Sequence, residues 1–287
     1  MTCLFVCIVC GCERDATSET YLKDLAEWRT ARVAALNADD GWLSLVGLFR
    51  LNKKELSLGS GSESDVTLPA AFPKDFGTLT IDQDSLFLET TAPFEISDQT
   101  QTSALIIPTG QTAPATVVNF KDYQFIIIKR ASTYLLRLRD LNRAGDHALD
   151  EVPHYAPDAK WAVPAVLLAD GRGDTIVVKN IIGLDVTYVS EGTLSFELDG
   201  KAYGLAAFGG SETYFVMLSD ETTGDETYGG GRYLYVPKVD EHNRTVIDFN
   251  RAENPPCVFT EFATCPLPPR ENHLALHLLA GEKMPVH

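Results

Sequence analysis

From Thr227 to Glu271 the chain gathers the residue types that hold ligands or do chemistry: TYGGGRYLYVP, then DFNRAENPPC, then TCPLPPRE. The pattern marks an ordered, site-forming segment. Around Asp248 the alternation sends Ile247 and Phe249 to one face of a strand and Asp248 and Asn250 to the other, with Arg251 and Asn254 following in a loop. Pro255 and Pro256 stiffen that loop before Cys257, and Pro266, Pro268 and Pro269 do the same beyond Cys265, because proline fixes φ and removes an N–H donor. A rigid loop presenting Asp, Asn and Arg suits a preorganised polar site. The same residues can instead spend their polar atoms on the backbone and plug the end of a barrel. Upstream, Gly229, Gly230 and Gly231 permit positive φ and close backbone approach. Their N–H groups could form an anion nest beside Arg232, or the cluster could simply be the loop of a wide hairpin. It is not a phosphate loop, since the Lys-Ser/Thr pair is absent. The candidate ligand contacts are Arg232, Asp248, Asn250, Arg251 and Asn254.

Three catalytic readings can be set beside binding. Glu226 with Asp248 would supply the two carboxylates of an acid/base hydrolase, although either could be a structural partner of Arg232. Cys257 or Cys265 with His273 and Asp248 is a conceivable nucleophile, base and orienter, but only for a free thiolate. The two cysteines with His273 and His277 do not match a zinc spacing, so no metal is expected, and no cofactor. Elsewhere, Arg137 and Arg139 lie two apart on a strand-like run, so both guanidiniums leave one face. They form a possible anion contact, or a solvated face with Asp140 as partner.

Charge narrows the partners. The formal net charge is −16, which repels phosphate backbones and anionic lipid and so argues against nucleic-acid binding. A small molecule is the expected partner. Of the six cysteines, Cys3, Cys7, Cys10 and Cys12 fall in MTCLFVCIVCGC, an apolar run in which Gly11 precedes Cys12 and the chain then turns polar. This reads as the end of a bacterial lipoprotein signal, with lipid on Cys12 as the only tie to a membrane and a cell-envelope location, lipid-anchored or periplasmic. In that oxidising compartment Cys257 and Cys265 are expected to form a disulfide, closing a short loop worth ~2–3 kcal/mol.

These groups need a scaffold. Residues 13–19 read as a tether, followed by a helix capped by Ser18. Leu22, Leu25, Val33 and Leu36 recur at helical spacing, flanked by Tyr21 and Trp28, with Arg29 inside the stripe as a snorkelling, ion-paired or site arginine. Asp39-Asp40-Gly41 ends it. From Trp42 the signals are short strands: 43–51, 66–68, two around Gln83-Asp84, and a hairpin of Tyr123–Lys129 with Tyr134–Arg139. Asn142 to Lys160 is polar and proline-punctuated, a candidate junction. Strands resume at 161–168, 175–179, 194–198, 202–207 and 214–218. The expected fold is mostly β: a signal at 1–12, tether and helix to 40, a sandwich-like unit over 41–145, and a second sandwich or barrel over 146–287 that carries the motif.

The stretches DGWLSLVGLFRL, LGSGSESDVTLP, ETYGGGRYLYVP, IDFNRAENPPCVFTEFATCPLPPREN and AGEK resemble a bacterial and archaeal family, domain of unknown function 1684, from about Trp28 to the end. The resemblance implies no activity. It implies that Glu226, Tyr228, Arg232, Asp248, Asn250, Arg251, Asn254, Cys257, Cys265 and Asn272 belong to the family's hallmark motif, which adds Tyr228 to the candidate contacts and leaves His273 and His277 outside. Leu58–Pro69 is also similar to the start of forkhead-associated phosphopeptide-binding domains, implying a related sandwich. The phosphate-binding Arg and the later Ser-x-x-His of those domains are missing here. The leading expectation is a module binding a small polar or anionic envelope ligand. The alternatives are a metal-independent hydrolase using Glu226 and Asp248, and a purely structural protein with the motif as a plug.

Overall fold

The computed structural model describes residues 18–110 and 113–285. The signal-like segment, Cys12 and most of the tether lie outside the described residues.

Helix α1 (Glu19–Asn37) begins where the Ser18 hydroxyl accepts the Tyr21 N–H at 3.1 Å, and Glu19 adds favourable charge in the first turn. Tyr21, Leu25 and Leu36 are buried, whereas Leu22 is 42% exposed. The inner line is therefore Tyr21, Leu25, Trp28, Arg32 and Leu36, spaced by four and three, with Val33 half-buried against Leu36 and only Leu22 turned outward. An apolar count passes over Arg32, yet Arg32 sits in the middle of the contact face.

The first sheet comprises β1 (Leu45–Leu51), β2 (Glu55–Gly59), β3 (Val66–Thr67), β4 (Gly77–Asp82), β5 (Ser85–Ile96), β6 (Gln99–Ile106), β7 (Val118–Phe120), β8 (Tyr123–Arg130) and β9 (Thr133–Asp140). Its path runs β1-β9-β8-β7-β5-β4-β2-β3, with β6 paired to β5. The two expected hairpins are β4–β5 and β8–β9. Inward residues alternate as the pleat requires, so Tyr134, Leu136 and Leu138 of β9 enter the core with Phe72, Phe76, Phe94 and Phe125. The rings of Phe72 and Phe120 stack at 4.7 Å. Polar β6 carries little apolar signal, and sequence reading does not mark it.

The second sheet comprises β10 (Ala162–Leu168), β11 (Thr175–Lys179), β12 (Asp185–Leu198), β13 (Lys201–Phe208), β14 (Thr213–Asp220), β15 (Arg232–Pro237), β16 (Arg244–Asp248) and β17 (His273–Leu274). It runs β15-β14-β13-β12-β10-β16, with β11 on β12 and β17 parallel to β14. Its core holds Leu194, Leu205, Val216, Leu218, Ile247 and Phe249. The glycine cluster is the loop of the β14–β15 hairpin. A third cluster, with Met217, Tyr233, Ala263 and Cys265, takes Trp42 against it from the approach to β1. The chain is thus mostly β, with one long N-terminal helix and two nearly closed, sandwich- or barrel-like sheets.

Candidate functional site

The hallmark residues separate into a buried brace and an exposed cleft. Arg232 opens β15 with its side chain fully buried. Its guanidinium pairs with Asp220 Oδ2 at 2.8 Å and donates to the carbonyls of Leu278, at 3.1 Å, and Ala280. Asp220 is held in turn by the Thr222 N–H, the Thr222 hydroxyl and the Leu278 N–H. A buried pair of this kind needs every remaining donor met, and backbone carbonyls supply most of that here. Arg232 thus points away from the glycine loop and ties the C-terminal tail to the sheet, which corrects its expected place among ligand contacts. The Gly231 N–H is likewise not free for the expected anion nest, and the Arg232 guanidinium does not stand beside it. Gly231 takes φ +79° and gives its N–H to Tyr228 O at 3.0 Å, and a Cβ there would fall 2.5 Å from Leu218 O.

The asparagines serve the same bracing. Asn254 donates its side-chain amide to Lys283 O at 2.9 Å. Asn272 caps both groups of Ala206 and donates to Met217 O at 2.8 Å. Asn250 bridges the N–H and carbonyl of Asp158. Beside them lies a charged cluster that the sequence does not disclose. Arg32 of α1 reaches Glu282 at 3.2 Å, Glu253 at 3.5 Å and the Asn254 carbonyl at 2.7 Å, with the Phe259 ring 5.6 Å from its guanidinium. Burial lifts the Glu253 carboxyl to about 7 against the opposing pull of Arg32, and burial likewise raises Glu282. Nearby, burial and the Arg29 charge push His154 down to about 4. Arg29 itself donates to Tyr155 O at 3.3 Å.

Asp248 and Arg251 form the exposed half. They line a cavity of about 450 Å³ between α1 and the edge of the second sheet, with Tyr21, Asp24, Trp28 and Tyr235 around it. The Tyr21 hydroxyl donates to Asp248 at 2.8 Å, and Arg251 bridges Asp248 at 3.3 Å and Asp24 at 2.6 Å above the Trp28 ring. Burial and the adjacent Asp248 push the Tyr21 phenol far up, so it stays a donor. Tyr235, 51% exposed, and Val246, 39% exposed, make an apolar wall. Two carboxylates against one guanidinium leave this polar end rich in acceptors. The cleft is amphipathic: hydrogen-bonding groups at one side, ring and aliphatic surface at the other.

The remaining candidates lie elsewhere. Glu226 accepts from the Tyr155 hydroxyl at 3.1 Å and pairs with Lys283 at 3.3 Å, and it shares neither partner nor cavity with Asp248. Cys257 and Cys265 are adjacent but free, so the expected disulfide is not formed in this structure. The Cys257 N–H points at Cys265 Sγ over 3.1 Å. Hydrogen bonds from Cys265 and the Tyr228 hydroxyl lower the Cys257 thiol, while the Cys257 thiolate and burial raise Cys265. Tyr228 is occupied there and does not face the cleft. His273 contacts Ser219 at 3.1 Å and Glu221 at 3.4 Å, not the cysteines. Among the described residues no group of metal-ligating side chains converges, and no helix is long and apolar enough to cross a membrane. Arg137 and Arg139 share a face as the strand period requires. Arg137, however, is 6% exposed against Trp42 and Thr264, and Arg139 donates to Gln124.

Fold and site together describe a two-sheet β protein whose C-terminal tail is locked to one sheet by buried ion pairs beside a helix-covered cleft. The chain belongs to the family described as protein of unknown function (DUF1684), whose model matches residues 147–283, a span that holds brace, cysteines and the sheet side of the cleft. Among solved structures it is similar to the solution NMR structure of an uncharacterized protein of Haloarcula marismortui. The two are 32% identical over 49% of this chain and 79% of that one, with a TM-score of 0.40. No curated protein matches the chain.

Proposed function

We propose that the protein is a binding module that takes a small, hydroxyl-bearing polar ligand in the cleft between α1 and the second sheet. One observation carries this reading: the hydrogen-bonded chain Tyr21–Asp248–Arg251–Asp24 runs beside half-buried Trp28 and exposed Tyr235 and Val246 in one cavity. Acceptor carboxylates fixed next to aromatic faces suit the hydroxyls and the apolar face of a saccharide-like ring. The excess of acidic groups favours a neutral polar ligand over an anionic one. The apolar segment ending in Cys12 supports export and lipid anchoring, and hence a ligand of the cell envelope. In that compartment oxidation would join the neighbouring thiols of Cys257 and Cys265.

Isothermal titration of wild type against neutral mono- and disaccharides tests the reading. Arg251→Ala and Tyr235→Ala are each expected to weaken a measured affinity about tenfold or more, the scale of one lost charged hydrogen bond or stacking contact. Affinities unchanged in both variants would refute the cleft as the site.

A structural reading has its own support, since Arg232, Asn250, Asn254 and Asn272 are spent on the backbone and on internal ion pairs. It accounts for the brace and leaves the open cleft unexplained. Hydrolysis by Glu226 and Asp248 has no such support, because the two carboxylates belong to separate clusters. For the first sheet a forkhead-associated-like role rests on Leu58–Pro69 alone. There Asp65 is spent on Lys53 and on the Ser57 N–H at 3.0 Å, and phosphopeptide binding is not part of the proposal.

A further inference from the structure

Between the two sheets lies a second polar cluster, apart from the cleft. Arg130 ends β8 and Arg137 lies on β9, and both donate to one acceptor, the Thr264 hydroxyl, at 3.2 and 3.3 Å. Thr264 sits between Ala263 and Cys265 in the hallmark loop, and it is 5% exposed. Arg137 is 6% exposed, packs 5.2 Å from the Trp42 ring and leaves its Nε without a partner. Arg139 follows on the same strand face. Among the described residues no carboxylate pairs with any of the three. Of the neighbouring acids, Asp84 is engaged with Lys129 at 2.7 Å and Asp185 with Lys179 at 2.7 Å, while Asp40 acts on Arg139 without a direct ion pair. Arg130, Thr264, Lys129 and Tyr188 line an open cavity of about 440 Å³ above the cluster, with Asp185 at its rim.

This arrangement runs against the composition. The chain has 40 acidic and 24 basic residues, so most cations have an acid to pair with. A guanidinium withdrawn from water with two like charges beside it and no carboxylate paired to it is costly. Burial first, then Arg130 and Arg139, push Arg137 down to about 10, so it remains charged at neutral pH. A bound anion would supply the missing counter-charge.

We propose that Arg130 and the Thr264 hydroxyl, backed by the buried charge of Arg137, bind a phosphate group at this junction. The group is either inorganic phosphate or the head of a small phosphate monoester. Arg130, whose Nε is spent on Thr264 and whose Nη1 donates to the Lys129 carbonyl at 2.9 Å, meets the ligand directly through its remaining N–H groups. Arg137 acts from beneath and positions Thr264.

The test is calorimetric titration and thermal melting with sodium phosphate and with glycerol phosphate, against sodium chloride at matched ionic strength. Wild type is expected to bind at least one of them saturably and to melt higher with it. Arg130→Gln is expected to lose at least tenfold in affinity. Arg137→Met is expected to melt as high as wild type or higher without phosphate and to gain less from it, a pattern that mere loss of folding cannot produce. Saturation by glycerol phosphate alone assigns the site to an ester, and saturation by both assigns it to the phosphate group itself. A melting point that follows ionic strength only, or an equal phosphate response in wild type and Arg130→Gln, overturns the proposal.

Discussion

At the scale of single residues the brace makes a pH-dependent statement. The folded chain holds the Glu253 proton up to about 7, whereas the unfolded chain releases it near the ordinary 4.5. Within that window the native state binds the extra proton, so this group's contribution to stability falls as pH rises, by about 3 kcal/mol in full. His154, depressed to about 4, acts with the opposite slope below its ordinary 6.5. Comparing a Glu253 variant with wild type at each pH cancels the histidine. Glu253→Gln should melt like wild type near pH 4.5 and above it near pH 8, and equal melting points at both would remove the account of Glu253. Arg32 is the complementary case. Arg32→Ala leaves Glu253 and Glu282 buried without their cation, at a cost of about 3–5 kcal/mol by urea denaturation, and Arg32→Lys should recover part of it. A loss below 1 kcal/mol would mean that the cluster is hydrated and does not brace the fold.

At the scale of elements, much of the fold is legible locally and most of the site is not. The Ser18 cap, the β4–β5 turn at Gln83 and the β8–β9 hairpin follow from cap chemistry, positive-φ turns and strand alternation, all of which act over a few residues. Asp248 and Arg251 are found in sequence because they stand on a proline-braced loop. Their partners Tyr21, Asp24 and Trp28 lie on α1, with Tyr21 and Asp24 each 227 positions away, and no periodicity encodes such pairing. Arg32 and Arg232 look like surface residues to any rule that equates charge with exposure, although both are core ion-pair partners. The hallmark motif combines two kinds of constraint, so it could not be divided into brace and cleft before the contacts were known. Asn272 tests the brace as an element. It meets two backbone groups of Ala206 and one of Met217, so Asn272→Ala should cost about 1–3 kcal/mol by denaturation and leave cleft affinity unchanged.

At the scale of the molecule, two sheets meet through Trp42, Arg137, Thr264 and the cysteine loop, while α1 lies along the edge of the second sheet and forms one wall of the cleft. The helix is therefore part of the cleft and not only a tether. The central claim is that ligand meets the cleft and leaves the brace and the junction alone. The chain has three tryptophans, Trp28, Trp42 and Trp161, and only Trp28 lines the cleft. The most direct measurement is the indole N–H spectrum of 15N-labelled protein during titration with neutral mono- and disaccharides. The account predicts a saturable shift of the Trp28 peak, larger than any at Trp161, with Trp42 fixed. It would be contradicted by a Trp28 peak that stays in place at millimolar concentrations of every sugar, or by movement of Trp42 in its stead.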